Sequence, residues 1–131
     1  MSNEVIVLIV DDDKATCEAL SNVVERKGGY STDVAGTARE ALDIAVHKFF
    51  NIILLDLTLP DMDGLELLRR LKELHQSTEV IILSGYTSVN KEAEAVRAEA
   101  FAYLVKPSSP KELMGAIERA LEKQGELPTE G

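Results

Sequence analysis

The stretch Asn51-Ile52-Ile53-Leu54-Leu55-Asp56 decides how this chain is read. An aliphatic run that short does not make a free-standing helix. It is the pattern of a strand buried on both faces. The run ends in a carboxylate, and turn chemistry follows at once in Thr58-Leu59-Pro60-Asp61-Met62-Asp63-Gly64. Asp56 is therefore expected at the carboxyl end of a central strand, the edge of an open α/β sheet where ligands bind.

Similar runs lie on either side. Glu4 to Val10 reads as strand one and stops at Asp11-Asp12-Asp13. Glu79 to Leu83 reads as strand four, followed by Ser84-Gly85-Tyr86-Thr87-Ser88, a turn able to cap the next helix. Phe101 to Val105 reads as strand five and ends at Lys106-Pro107. Tyr30 to Ala35 alternates, with Tyr30, Thr32 and Val34 on one side and Ser31 and Asp33 on the other, which suits an edge strand.

Helical patterns separate the strands. Helix one should run to about Lys27, with Leu20, Val23, Val24 and Lys27 on one face and Gly28-Gly29 as its stop. Thr37 and Glu40 form a capping box for helix two, whose stripe is Ala38, Ala41, Leu42, Ala45 and Val46. Helix three, about Gly64 to His75, should bury Leu67, Leu68, Leu71 and Leu74. Helix four, ending near Ala98, has the thinnest stripe: Val89, Ala93, Val96 and Ala100. Ser109, Pro110 and Glu112 start helix five, which turns Leu113, Ile117, Ala120 and Leu121 inward. His47 and His75 read as surface residues at helix ends, and Cys17 as a small buried residue.

Strict strand–helix alternation implies a parallel sheet covered on both faces by right-handed crossovers. With strand two at an edge, the expected fold is a five-stranded parallel sheet of order 2-1-3-4-5 with five helices, a flavodoxin-like three-layer sandwich. Residues 1–124 form the domain, and residues 125–131 read as a flexible tail or the start of a linker. In that order strands one and three flank the switch point where ligands sit, and they end in Asp11-Asp12 and Asp56.

Composition narrows the function. A net charge of −9 argues against holding nucleic acid or an anionic membrane electrostatically, and is compatible with divalent cations and basic partner surfaces. The longest aliphatic run, Val5 to Val10, is too short to span a bilayer. The N-terminal residues lack the positive flank of a signal peptide, and the single cysteine excludes an internal disulfide. The expected location is cytoplasmic.

The strand ends bring together Asp11, Asp12, Asp56, Ser84 and Lys106. Three close carboxylates repel unless a cation lies between them. Mg²⁺ takes carboxylate and water oxygens and leaves positions open for phosphate. Asp12 and Asp56 are thus the expected direct ligands, with Asp11 direct or through water. A phosphoryl group in transfer spreads charge over three oxygens, which a metal, an ammonium and a hydroxyl can divide. Asp56 is then the nucleophile and forms an aspartyl phosphate.

From about Val5 to Lys123 the chain resembles the receiver domains of two-component response regulators. The resemblance rests on Asp11-Asp12, Asp56, the Leu59-Pro60-Asp61-Met62-Asp63-Gly64 loop, Ser84 and Lys106-Pro107, in that order. It implies that Asp56 accepts phosphate from a histidine kinase or phosphotransfer protein. It implies that the Thr58 backbone carbonyl joins the Mg²⁺ ligands and that the Lys106-Pro107 bond is cis. Tyr103 would be a switch aromatic responding to Ser84, while Thr58 and Tyr86 would tune hydrolysis of the acyl phosphate. The helix four, strand five and helix five surface would then bind partners or form a homodimer on phosphorylation. Ser84 in place of the commoner threonine, Glu99 where glycine is frequent, and Ser108 after the Lys-Pro pair depart from the family pattern.

Plainer readings exist for each residue. Asp13 caps helix one, Asp56 and Ser84 suit turns, and Tyr103 suits simple packing. Two rival functions compete with a switch of at most weak autophosphatase activity. A Mg²⁺-dependent phosphatase working through an aspartyl phosphate usually carries a second aspartate two residues after its nucleophile as acid/base, where this chain has Thr58. A phosphate-independent binding module would be expected to lose Asp56 or Lys106.

Overall fold

The computed structural model describes residues 4–85 and 89–125. Five parallel strands, β1 (Ile6–Val10), β2 (Ser31–Ala35), β3 (Ile52–Leu55), β4 (Glu79–Ser84) and β5 (Ala102–Val105), form one sheet of order β2-β1-β3-β4-β5. Between and after them run α1 (Lys14–Val23), α2 (Ala38–His47), α3 (Gly64–Leu74), α4 (Val89–Arg97) and α5 (Pro110–Gln124). The expected order and the five helices are what the structure contains.

The sheet makes two cores because successive side chains of a strand point to opposite faces. Leu8, Val10, Ile53, Leu55, Val80 and Ile82 pack with α2, α3 and Ala95 of α4. Val7, Ile9, Ile52, Leu54, Ile81 and Leu83 pack with Cys17 of α1 and Leu113, Ala116, Ile117, Ala120 and Leu121 of α5. This two-sided burial is why the central strands read as unbroken aliphatic runs. Each fully covered Leu or Ile stabilises by roughly 1.5–3 kcal/mol.

The helix faces depart from expectation at several ends. The α1 geometry stops at Val23 and passes into one π-helical turn, Val24–Gly28, closed by Gly29 at φ 70°. The wider turn advances the chain by an extra residue, so Val24 stays buried while Lys27 faces solvent. On α2 the small residues Ala38, Ala41 and Ala45 are buried, but Val46 lies off that stripe and is 59% exposed. On α3 Leu67, Leu68 and Leu71 are buried as expected, together with Leu65, whereas Leu74 is exposed. The first turn of α3 sits under the β3–α3 loop, while its last turn borders an open groove shared with Leu42 and Val46.

Of the stripe expected for α4, the two valines turn outward, while Ala93 and Ala100 are partly covered. Val89 and Val96 are exposed, and Ala95 is the buried contact, assisted by partly covered Ala98 and Ala100. α4 ends in a Schellman motif: the Ala100 N–H donates to Ala95 C=O at 2.9 Å and the Glu99 N–H to Val96 C=O at 3.0 Å. This places Glu99 at φ 72°.

The caps follow the sequence closely. Asp13 caps α1, and Ser109 and Glu112 form the full capping box of α5 behind Pro110. On α2 only the Thr37 half of the box forms among the described residues, the Glu40 N–H donating to Thr37 Oγ1 at 3.1 Å. His75 is not a plain surface residue. Its Nε2 donates to the Ala45 C=O at 2.9 Å, joining α3 to α2, and its ring meets Phe49 edge-on.

The amino ends of the strands are fastened by side chains bonded to backbone. Gln124 Nε2 donates to the carbonyls of Asn51 and Ser77, both at 2.7 Å. Thr78 Oγ1 donates to Phe50 C=O at 2.7 Å, and Lys72 Nζ donates to Gln76 and Thr78 carbonyls at 2.8 Å. Asn51 Oδ1 accepts from the Ile6 N–H at 2.9 Å.

A left-handed backbone costs a residue with a Cβ about 1 kcal/mol or more, and glycine little. Glu99→Gly is therefore expected to stabilise the protein by about 1 kcal/mol. Denaturant midpoints of the two proteins check this.

Candidate functional site

Strand register alone gathers the site. Val10 lies opposite Leu55 in the β1/β3 pair, so Asp11 and Asp56 leave the sheet side by side. The Asp56 N–H donates to Val10 C=O at 3.0 Å, and the Asp11 N–H to Ala35 C=O at 3.1 Å. Across the sheet Ser84 lies opposite Val105, and the Lys106 N–H donates to Ser84 C=O at 2.8 Å. The Lys106-Pro107 bond is cis, as the resemblance implied.

Asp11 and Asp56 are 3% and 8% exposed, whereas Asp12 is open to solvent. One carboxylate oxygen from each of the three lies within 4.8 Å of the others. Lys106 Nζ reaches over them, 2.6 Å from Asp11 Oδ2 and 3.5 Å from Asp56 Oδ2. The other oxygens face backbone: Asp11 Oδ1 accepts from the Asp13 N–H at 2.9 Å, and Asp56 Oδ1 from the Thr58 N–H at 3.1 Å. Ser84 is buried at the end of β4.

Burial pushes the Asp56 carboxyl above the ordinary aspartate range, against the opposing pull of the Thr58 N–H and the Lys106 charge. Burial pulls the Lys106 ammonium down, but its hydrogen bond to Asp11 and the charges of Asp56 and Asp11 outweigh that and leave it raised. Two buried carboxylates, Asp11 and Asp56, share the Lys106 ammonium, and the exposed Asp12 carboxylate stands beside them. That donor set is all hard oxygen, suits a divalent cation such as Mg²⁺, and is better satisfied with one than without.

The β3–α3 loop that follows Asp56 is held at several points. Thr58 and Asp63 form an antiparallel bridge, and the Gly64 N–H donates to Leu57 C=O at 3.2 Å. A Cβ on Gly64 would lie 2.4 Å from Leu57 Cα, so the loop closes only over a glycine. Asp63 caps α3 through the Leu65 N–H. Asp61, read from the sequence as turn chemistry, instead crosses to α2. Its Oδ1 accepts from the Ala38 N–H at 2.9 Å and its Oδ2 from the Arg39 N–H at 3.0 Å. Those two bonds hold its carboxyl below the usual range.

Of the remaining candidates, Tyr103 is half-buried on β5 opposite Ile82, against the core that faces α2, α3 and α4. Thr58 is exposed beside the carboxylates. Tyr86 lies outside the described residues. Cys17 is buried in α1 with its thiol donating to Asp11 C=O at 3.3 Å, and burial raises its pKa.

This geometry has close counterparts. The response regulator receiver domain family matches residues 7–118, and the chain belongs to that family. It is 34% identical over 115 residues to the transcriptional regulatory protein ZraR of Escherichia coli (strain K12), covering 88% of this chain and 26% of that protein. It is 35% identical over 116 residues to the response regulator protein TodT of Pseudomonas putida, covering 88% of this chain and 51% of the relative. The chain thus spans between about a quarter and a half of these relatives. The crystal structure of a CheY-like response regulator receiver domain protein from Methanospirillum hungatei JF-1 superposes with a TM-score of 0.90 at 36% identity, covering 94% of this chain and 98% of that one. Among the described residues no helix is long and apolar enough to cross a membrane.

The raised Asp56 pKa has a signed consequence. The native state holds this proton more tightly than the unfolded chain, so Asp56 lowers stability as pH rises from the ordinary aspartate range through the raised native value. Asp56→Asn is expected to raise the metal-free melting temperature at pH 7 and to remove the fall that Asp56 contributes across that window. Mg²⁺ at ten times its dissociation constant should add about 1.4 kcal/mol to the unsubstituted protein and clearly less to the variant. Calorimetric scans from pH 4 to 8, with Mg²⁺ and with chelator, measure both effects.

Proposed function

We propose that this chain is a phosphorylatable signalling switch in which Asp56 takes a phosphoryl group from a phosphohistidine on a histidine kinase or histidine phosphotransfer protein. The observation that carries the reading is three carboxylates within 4.8 Å of one another with the Lys106 ammonium 3.5 Å from Asp56. An Asp56 carboxylate oxygen forms the new bond to phosphorus. The phosphorus–nitrogen bond of the donor breaks, and its electron pair leaves with the imidazole nitrogen, which takes a proton from water.

Mg²⁺ held by Asp12, Asp56 and the Thr58 carbonyl, with Asp11 direct or through water, supplies the positive charge that this crowded anionic centre needs. Lys106 pairs with the incoming phosphoryl oxygens, relieving its double engagement with Asp11 and Asp56. The Ser84 hydroxyl donates to the phosphoryl group. Tyr103 moves inward as Ser84 is drawn across, and the α4, β5 and α5 surface changes for partner binding or homodimerisation. Thr58 and Tyr86 set how fast water removes the phosphoryl group. Thr58 in place of an acid/base two residues beyond Asp56 favours a slow switch over a turnover phosphatase. Residues 1–124 are the switching unit, the expected tail from 126 to 131 lies outside the described residues, and the protein works in the cytoplasm.

Incubation with Mg²⁺ and acetyl phosphate should give one phosphoryl adduct on Asp56, read by peptide mass spectrometry. Asp56→Asn should abolish it, and Lys106→Ala should slow it about 100-fold. An adduct that survives Asp56→Asn would end this reading.

A further inference from the structure

We propose that Asp61 is a positioning residue for phosphoryl transfer, holding the Thr58 backbone in place by clamping the tip of the β3–α3 loop to the first turn of α2. This inference rests on the phosphoacceptor reading above and adds to it a residue outside the metal and phosphoryl contacts.

The loop from Leu57 to Asp63 must present one backbone carbonyl, that of Thr58, to a small ion with strict distance requirements. Its base is closed by the Leu57–Gly64 hydrogen bond and the Thr58–Asp63 bridge. Those contacts fix the loop against β3 and α3. They do not tie it to the β1–β2 side of the sheet, where Asp11 and Asp12 stand. Asp61 makes that tie. Both of its oxygens are engaged, with Ala38 and Arg39 N–H groups at 2.9 and 3.0 Å. These bonds are charge-assisted and meet the positive end of α2.

Local capping does not require Asp61. Thr37 already occupies the N-cap of α2 and accepts from the Glu40 N–H. Ala38 and Arg39 are the next two donors of that turn, and a carboxylate from 22 or 23 residues away takes them. The bond is thus between elements, and its effect falls on the loop that carries Thr58. Asn at this position keeps only one acceptor and turns an amide N–H₂ toward a backbone donor. Ala keeps none.

The test compares Asp61→Ala and Asp61→Asn with Thr37→Ala, which weakens the same helix end without touching the loop. Three readouts are Mg²⁺ affinity by calorimetry, the Mg²⁺ dependence of Asp56 phosphorylation by acetyl phosphate, and amide exchange at Thr58 and Gly64. Asp61→Ala is expected to weaken Mg²⁺ binding about tenfold, as loss of an outer support typically does. Its phosphorylation rate should recover at saturating Mg²⁺, and its Thr58 and Gly64 amides should exchange faster. Asp61→Asn should fall between, and Thr37→Ala should leave all three readouts unchanged while lowering the melting temperature. Unchanged Mg²⁺ affinity and amide exchange in folded Asp61→Ala overturns the proposal, as does an equal loss in Thr37→Ala. If the unsubstituted protein neither binds Mg²⁺ nor gains a phosphoryl group, the phosphoacceptor reading itself fails and this inference falls with it.

Discussion

Two buried carboxylates on neighbouring strands repel each other, and the Lys106 ammonium is what lets the sheet end that way. Asp11 and Asp56 are forced together by the pairing of β1 with β3, and neither can turn to solvent. Desolvation makes an uncompensated pair of this kind costly. Lys106 comes from the far end of the sheet, and its distances to the two acids, 2.6 and 3.5 Å, are unequal. The arrangement has one cation for three anions, so it stays short of neutral. In the function we propose, that residual negative charge recruits a divalent ion, and the longer contact to Asp56 is the one replaced when phosphate arrives.

Much of this was legible in the sequence, for a definable reason. Asp11, Asp56, Ser84 and Lys106 each follow an aliphatic strand directly, and parallel strands in register bring such positions to one edge. The caps at Asp13 and Ser109 were equally visible, because capping is local chemistry. What the sequence hid is set by neighbours in space. Asp61 looks like any turn aspartate until α2 is placed beside it. His75 looks like a helix-end residue until the Ala45 carbonyl is seen 2.9 Å away.

The helix faces show the same division. On α5 the apolar stripe is wide, and all four expected residues are buried. On α4 the stripe is thin, and the sheet accepts alanines at close approach in preference to the valines that periodicity selects. Periodicity ranks residues by hydrophobicity, whereas a helix lying close to a sheet ranks them by size. Val46 and Leu74 fail for another reason: they sit in final turns that overhang a groove and have no layer to cover them. Glu99 was already marked as unusual, and its left-handed backbone is the structural form of that mark.

The two poles of the sheet are built from different materials. At one, charged side chains face one another with spare bonding capacity. At the other, Gln124, Thr78, Lys72 and Asn51 are each bolted to main-chain atoms of adjoining segments. Such a base acts as an anvil. The starts of β1, β3 and β4 are thereby tied to their neighbours, which resists their sliding as a block. Among the described residues, the loops and helix starts that ring the ionic end carry no such ties to the base, and in the function we propose they are where a change at Asp56 is taken up.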